Sequence, residues 1–158
     1  MGNIFSASEV VEIGIQIEKN GRDYYNTLVS QSKSPKAQDI FKFLAGEEEK
    51  HILAFKKVLE AVQKYEPQGL DSDDYYAYMN DLASEHIFTQ EDKGAEVARA
   101  IKSDLEAINK AIKFEEDSIV FYEGMKKVVP EYDLKVIENL IGQEQNHLKQ
   151  LIELKHTI

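Results

Sequence analysis

A nine-residue pattern occurs twice in this 158-residue chain and constrains its fold more than any other feature. Leu44–Ile52 and Leu140–Leu148 share a leucine, a glycine, a glutamate and a histidine at the same internal positions. The shared acidic and imidazole residues form two Glu-x-x-His motifs, Glu48 with His51 and Glu144 with His147. A repeat of this kind predicts two similar structural units in one chain.

A second shared pattern lies upstream of each copy and contains a single glutamate. Glu18 is followed by Tyr25 seven residues later, and Glu115 is followed by Tyr122 at the same distance. The lone glutamate precedes the Glu-x-x-His motif by 30 residues in the first half and by 29 in the second. Each half therefore predicts a helix, a turn and a second helix.

The hydrophobic residues of both halves recur at helical spacing, which favours an all-α four-helix bundle of two helical hairpins. We expect the halves to cover about 6–66 and 95–157 of a single domain that spans 1–158. Ser6 and Glu9 predict a capping box before the first helix, Ser34 and Pro35 predict the start of the second, and Pro67 predicts its end.

The segment of about 67–94 is expected to cross over from the second helix to the third, with a short extra helix inside it. If the third helix runs parallel to the second, the chain must first travel back along the bundle. We expect Thr89 and Asp92 to cap the next helical segment, and the third long helix to start at Ala95 or at Asp104 after a break near Ser103.

Composition narrows the possible functions. The absence of cysteine excludes disulfides, thiolate nucleophiles and cysteine-ligated metals. The net charge of −10 and the lack of a basic patch argue against nucleic acid or an anionic membrane as a partner. The first residues do not resemble an export signal, and no apolar run approaches the ~20 residues that span a bilayer, so we expect a cytoplasmic protein.

Two Glu-x-x-His helices facing two helices with one glutamate each would place four carboxylates and two imidazoles in one core. Positions i and i+3 lie about 60° apart on a helix, so both side chains of a motif can reach one centre. Several buried carboxylates repel one another unless cations or protons neutralise them. Such ligands favour iron or manganese, with zinc possible on purification. The predicted ligands are Glu18, Glu48, His51, Glu115, Glu144 and His147.

Other acidic and imidazole residues are expected to have no ligand role. Glu47 and Glu49 are turned by about 100° from Glu48 and are predicted to face solvent. Glu153 and His156 also have the motif spacing, but polar residues surround Glu153 on its helix. His86 and His156 are expected at the surface or its boundary.

Over essentially the whole chain, these residues resemble the rubrerythrin-type branch of the ferritin-like di-iron carboxylate family. The resemblance implies that Glu18 and His51 serve one iron, Glu115 and His147 the other, and that Glu48 and Glu144 bridge them. It also implies that Tyr25 and Tyr122 donate hydrogen bonds to ligand carboxylates across the bundle. Two iron ions are therefore the expected cofactor, with manganese or a mixed pair as alternatives.

The chain departs from this family in two respects. Ile112 stands where the family has an additional glutamate that moves with the redox state of iron. The family often carries a cysteine-ligated electron-transfer domain, and this sequence has no cysteine. We therefore expect a separate redox protein as electron donor, and a homodimer in which the crossover tyrosines contribute packing or dimer contacts.

The resemblance implies a non-haem di-iron oxidoreductase that reduces peroxide or dioxygen. Three alternatives remain: a ferroxidase or iron-handling or storage protein that uses the same centre, a structural bundle in which the metal only stabilises the fold, and an enzyme that hydroxylates an organic substrate.

Overall fold

The computed structural model describes the backbone of residues 6–64 and 73–158, and the side chains of the same residues except 73–76. In these ranges the chain is helical and has no strand. The helices are α1 (Ala7–Gln31), α2 (Pro35–Lys64), α3 (Asp73–Glu85), α4 (Lys93–Arg99), α5 (Asp104–Met125) and α6 (Leu134–Thr157). Pro67 and the side chains of Tyr75 and Tyr76 lie outside the described part, so the expectations for them stay predictions.

Serine side chains start three of the helices, and the sequence predicts the caps at Ser6 and Ser34. Ser6 forms the expected capping box with Glu9 at the start of α1. Ser34 accepts a hydrogen bond from the backbone N–H of Ala37 in the first turn of α2, and Ser103 accepts one from Glu106 in α5. These caps satisfy backbone donors that have no partner inside a helix. The predicted break near Ser103 is confirmed.

Side-chain contacts between helices fix their relative directions. Tyr25 and Tyr122 bond Glu115 and Glu18 respectively, so α1 and α5 run antiparallel. The short link of residues 32–34 makes α1 and α2 antiparallel, and α2 therefore runs parallel to α5. Within each hairpin the two helices pack along each other, α1 with α2 and α5 with α6. Helix α2 also contacts α6. This is the predicted ferritin-like arrangement with a long crossover.

The crossover is held against α1 by Asn20, a buried residue that no local sequence pattern had marked. Its side-chain amide donates to the carbonyl oxygens of Phe88 and Gln90, and its Oδ1 accepts from the N–H groups of Lys93 and Gly94. Asn20 thereby caps the N-terminus of α4.

The prediction that Thr89 and Asp92 would provide this cap is wrong. Asp92 makes no capping bond, and the Thr89 hydroxyl donates to the carbonyl oxygens of Ala83 and His86. The cap comes from a distant helix because the crossover lies directly against α1 at this point.

Gly94 is required where α4 crosses α1. A Cβ atom on Gly94 would lie 1.9 Å from the backbone oxygen of Asn20, which no rearrangement of side chains could relieve. The crossover therefore packs backbone against backbone at this point. Among the helices in the described ranges, none is both long enough and apolar enough to cross a membrane.

Candidate metal centre

The six predicted ligands lie on the four long helices and are all buried. Their exposed fractions are 0–2%. Helix α1 brings Glu18, α2 brings Glu48 and His51, α5 brings Glu115, and α6 brings Glu144 and His147. A carboxylate or an imidazole is costly to bury without a partner. The burial of six such side chains indicates that they form one site.

The six side chains form two overlapping groups. In each group, ligand atoms from four residues lie within 4.8 Å of one another. One group contains Glu18, Glu48, His51 and Glu144, and the other contains Glu48, Glu115, Glu144 and His147. Glu48 and Glu144 belong to both groups, which is the arrangement expected of carboxylates that bridge two cations.

The polar atoms in the centre fit the donor set of a metal pair. Glu48 and Glu144 each have both carboxylate oxygens buried without a hydrogen bond, and one oxygen of Glu18 and of Glu115 is in the same state. The Nδ1 atoms of His51 and His147 also lack a hydrogen bond of acceptable geometry. Buried polar atoms without partners are rare in proteins, so this many at one place indicates that they are ligands. Together they offer oxygen and imidazole nitrogen, the atoms that bind iron, manganese and zinc.

Two tyrosines hold the lone glutamates from the opposite side of the bundle. Tyr25 donates a hydrogen bond to Glu115 Oε1 at 2.6 Å, and Tyr122 donates one to Glu18 Oε1 at 2.8 Å. Both tyrosine rings are fully buried. Each bond leaves the other oxygen of its carboxylate free for the centre, so the tyrosines orient the glutamates.

Burial and mutual charge shift the pKa values in the centre. Burial, together with the charge of Glu144, raises the pKa of Glu18 to about 8 and that of Glu115 well above the usual value. For His51, burial alone would lower the pKa, but the nearby Glu18 and Glu144 raise it to about 11. Without a cation, the centre therefore holds protons that bound metal would displace.

Both histidines turn Nδ1 towards the carboxylates and Nε2 away from them. His51 Nδ1 lies 2.7 Å from Glu144 and 3.4 Å from Glu18. His147 Nδ1 lies 3.8 Å from Glu48 and 4.0 Å from Glu115. The two imidazole rings stack, with centroids 5.4 Å apart. Nδ1 is thus the nitrogen placed to bind a cation, and Nε2 is available to an outer partner.

The outer partners come from the residue before each shared glutamate. Gln143 Oε1 lies 2.7 Å from His51 Nε2, and Glu47 Oε1 lies 3.9 Å from His147 Nε2. The prediction that Glu47 faces solvent is wrong, because its side chain is only 18% exposed. The sequence contained a signal for this pair, since Glu47 and Gln143 occupy the same position in the two copies of the repeat.

His86 is also buried, contrary to the expectation that it lies at the surface or its boundary. Its Nδ1 accepts a hydrogen bond from the N–H of Phe88, and its Nε2 lies 3.0 Å from the Ser118 hydroxyl. That hydroxyl donates to the carbonyl of Phe114, next to Glu115. Burial lowers the pKa of His86 to about 4. His86 is therefore a neutral residue that fastens the crossover to α5.

The second residue pair with motif spacing lies outside the centre. Glu153 and His156 are both exposed, as expected from the polar neighbours of Glu153 on α6. The motif spacing alone thus does not make a ligand pair, and a place on the buried face is also needed.

Fold and centre together define the class: a four-helix bundle whose core carries two overlapping carboxylate–imidazole groups suited to a pair of metal ions. The comparisons agree with this class. The rubrerythrin family matches residues 9–155, and the chain belongs to that family. A search of curated proteins found no match.

A crystal structure of a Thermotoga maritima protein, described as a putative ferritin-like diiron-carboxylate protein, has the same fold. Its TM-score is 0.72 at 23% sequence identity, and the match covers 99% of this chain and 98% of that one. The Thermotoga chain thus supports the ferritin-like architecture from end to end.

Proposed function

We propose that this protein is a non-haem di-iron oxidoreductase of the rubrerythrin type that reduces hydrogen peroxide or dioxygen. The observation that carries the proposal is the sharing of Glu48 and Glu144 between the two ligand groups. Carboxylates common to both positions would hold two cations close enough to act on one small molecule. A structural metal would require only one such position.

Each side chain would have a distinct task in this centre. Glu18 with His51 would hold one iron, Glu115 with His147 would hold the other, and Glu48 and Glu144 would bridge them. A bound Fe(II) pair supplies the two electrons that, with two protons, convert hydrogen peroxide to two waters. Tyr25 and Tyr122 keep Glu115 and Glu18 oriented. The burial of all six ligands limits the entry of bulk water.

The raised pKa values of two glutamates couple metal binding to the release of protons. Burial raises the pKa of Glu18 and of Glu115, so either carboxyl can hold a proton at neutral pH when no cation lies beside it. Bound iron would displace that proton, so the two protons that peroxide reduction consumes must come from outside the ligand set.

The cycle also needs a source of electrons. We propose that a separate redox protein re-reduces the centre, because the sequence holds no cysteine for an iron–sulfur or rubredoxin-type site. We further propose a cytoplasmic homodimer. Sedimentation analysis tests the dimer, and a monomer at micromolar concentration would contradict it.

The test of function is a stoichiometric reaction with peroxide. Protein loaded anaerobically with Fe(II) is mixed with hydrogen peroxide, and the oxidation of iron is followed by its absorbance. We expect one peroxide consumed for each two Fe(II), iron that stays bound, and recovery of the reaction after reduction. An iron-loaded sample that fails to react would exclude the oxidoreductase.

The same experiment separates the alternatives. Oxidation of many added Fe(II) ions per chain, with a ferric deposit, would indicate a ferroxidase or storage role. Metal that binds, stabilises the fold and reacts with neither peroxide nor dioxygen would indicate a structural role. Glu153→Ala is a matched control, because Glu153 is exposed and lies outside the centre.

A further inference from the structure

The two halves of the metal centre have the same ligands but different outer partners. Each half has one lone glutamate, one histidine and a share in the bridging pair. The internal repeat alone would therefore predict two equivalent cation positions. The two halves differ at the residue before each bridging glutamate. This residue is Glu47 in the first copy and Gln143 in the second.

The partner of His51 is a neutral amide. With Nδ1 directed at Glu18 and Glu144, the proton on Nε2 is donated outward, and Gln143 Oε1 receives it at 2.7 Å. This bond fixes the ring of His51 on α2 from the facing helix α6. It adds no charge to the neighbourhood of the centre.

The partner of His147 is a carboxylate. Glu47 Oε1 lies 3.9 Å from His147 Nε2, so a shift of about 1 Å would form a charge-assisted hydrogen bond. The other oxygen of Glu47 is held by Lys50 Nζ at 2.9 Å, and Lys50 itself is 76% exposed. Lys50 thus holds Oε2 of Glu47, and Oε1 is the oxygen on the side of His147. The positive charge of Lys50 is largely screened by water, whereas the side chain of Glu47 is only 18% exposed.

We propose that Glu47 makes the two cation positions unequal, so that the Glu115–His147 position binds a divalent cation more tightly than the Glu18–His51 position. A carboxylate that accepts the outer N–H of a metal-binding imidazole raises the basicity of the inner nitrogen and orients the ring. The amide of Gln143 orients the ring of His51 but raises the basicity of its inner nitrogen less, because an amide carries no charge. This inference rests on the metal centre of the proposed function, and requires metal binding but no oxidoreductase activity.

Two binding steps alone would not establish the inequality. A cation in the first position repels the second, so even equivalent positions bind with two apparent constants. The decisive observations are which position fills first and which step each substitution changes. Calorimetric titration with Mn²⁺ measures the steps, and anomalous scattering from crystals that hold one Mn²⁺ per chain locates the ion.

We expect the first Mn²⁺ to lie beside Glu115 and His147. Glu47→Gln, which gives both histidines an amide partner, should weaken the tighter step by roughly 10–100-fold and leave the weaker step nearly unchanged. Gln143→Glu should instead tighten the weaker step. Glu49→Gln is the matched control, because it removes one charge from the same helix but pairs with Arg22 at 2.8 Å, outside the centre.

Three results would overturn the proposal: a first ion beside Glu18 and His51, a tighter step that Glu47→Gln leaves unchanged, or an equal loss in Glu49→Gln. If Glu47→Gln does not fold, Gln143→Glu decides the question by itself, since an unchanged weaker step contradicts the proposal. Failure of the wild-type protein to bind Mn²⁺, Zn²⁺ or Fe²⁺ would instead remove the metal centre and the proposed function with it.

Discussion

Tyr25 on α1 donates a 2.6 Å hydrogen bond to Glu115 on α5, although 90 residues separate them in the sequence. Tyr122 repeats the relationship in the other direction with Glu18. The two bonds cross the bundle in opposite senses, so they tie the halves of the repeat together at the centre. They also hold two ligand carboxylates before any cation arrives, which lowers the cost of organising the site.

Loss of the Tyr25 hydroxyl should lower metal affinity more than loss of the neighbouring Tyr24 hydroxyl. In Tyr25→Phe, Glu115 Oε1 is left without its donor, and we expect Mn²⁺ affinity to fall by roughly 10-fold or more. Calorimetric titration measures the change. Tyr24→Phe is the control, because the Tyr24 hydroxyl bonds the Ala107 carbonyl and not a ligand. An equal fall in both variants would show that the hydroxyl of Tyr25 acts only through general stability.

Substitution of a bridging glutamate should remove both cations. Glu48→Ala or Glu144→Ala takes away oxygens that belong to both ligand groups, so we expect occupancy of both positions to be lost. Metal content measured by elemental analysis after dialysis checks this. Glu153→Ala should retain the wild-type content. If either bridging variant keeps a full complement of metal, Glu48 and Glu144 do not bridge.

Metal affinity should rise with pH. The pKa of Glu18 is about 8 in the metal-free protein, because burial and Glu144 disfavour its ionised form. Near pH 7 this carboxyl therefore carries a proton that a cation must displace, and the competition from the Glu18 proton disappears as pH rises through about 8. Titrations in two buffers with different heats of ionisation should show release of roughly one proton or more. Affinity that is constant between about pH 6 and pH 9 would contradict this linkage between metal and proton binding.

Acid should destabilise the crossover through His86. Its pKa is lowered from 6.5 to about 4 by burial, so the unfolded chain binds a proton that the folded protein rejects between these values. The stabilisation is present above the unfolded pKa of about 6.5 and is lost as pH falls through about 4. It amounts to roughly 3 kcal/mol at most, from the difference in pKa. Protonation would also turn Nδ1 from an acceptor into a second donor facing the Phe88 N–H.

Urea denaturation of wild-type protein and His86→Gln at about pH 7.5 and pH 5 measures this contribution. Carboxyl groups elsewhere titrate in both proteins, so the difference between them isolates His86. We expect the wild-type protein to lose more stability than the variant on acidification. Equal losses would show that His86 is protonated in the folded state as readily as in the unfolded state.

Two glycines should respond in opposite ways to replacement by alanine. In Gly94→Ala, the new methyl group meets the Asn20 backbone at 1.9 Å, and we expect a destabilisation of roughly 1–3 kcal/mol or more. In Gly46→Ala, a Cβ atom meets nothing within 4 Å, and an exposed helix interior should gain about 0.5–1 kcal/mol. Thermal unfolding of both variants tests the pair. A stable Gly94→Ala would mean that α4 does not contact α1 closely.

Local sequence patterns predicted most of the helix boundaries and the ligand set. Ser6, Ser34 and Ser103 start helices because a serine side chain can cap the donors immediately after it, and this depends only on neighbours in the chain. The ligand set was predictable because a repeated Glu-x-x-His on an apolar stripe is costly to bury unless cations or protons neutralise it. Its gathering in one core is a structural result, whereas its role as a metal site is a proposal.

Asn20, His86 and Glu47 could not be placed from the sequence, because each meets a neighbour from a distant part of the chain. Asn20 is a polar residue with no local partner until the crossover brings four backbone groups to it. His86 is buried where it meets Ser118 and Phe114 of α5. Glu47 lies off the ligand stripe of α2, but α6 brings His147 Nε2 to within 3.9 Å of its carboxylate.

The sequence by itself determined the helices, their repeat and the residues able to bind a cation, because hydrophobic period, caps and ligand spacing are local properties. Only the tertiary structure decided which groups meet: Tyr25 with Glu115, Asn20 with the crossover, and unlike partners behind His51 and His147. Packing brings together positions that are far apart in the chain, and the environment of each buried polar group is set by those distant neighbours.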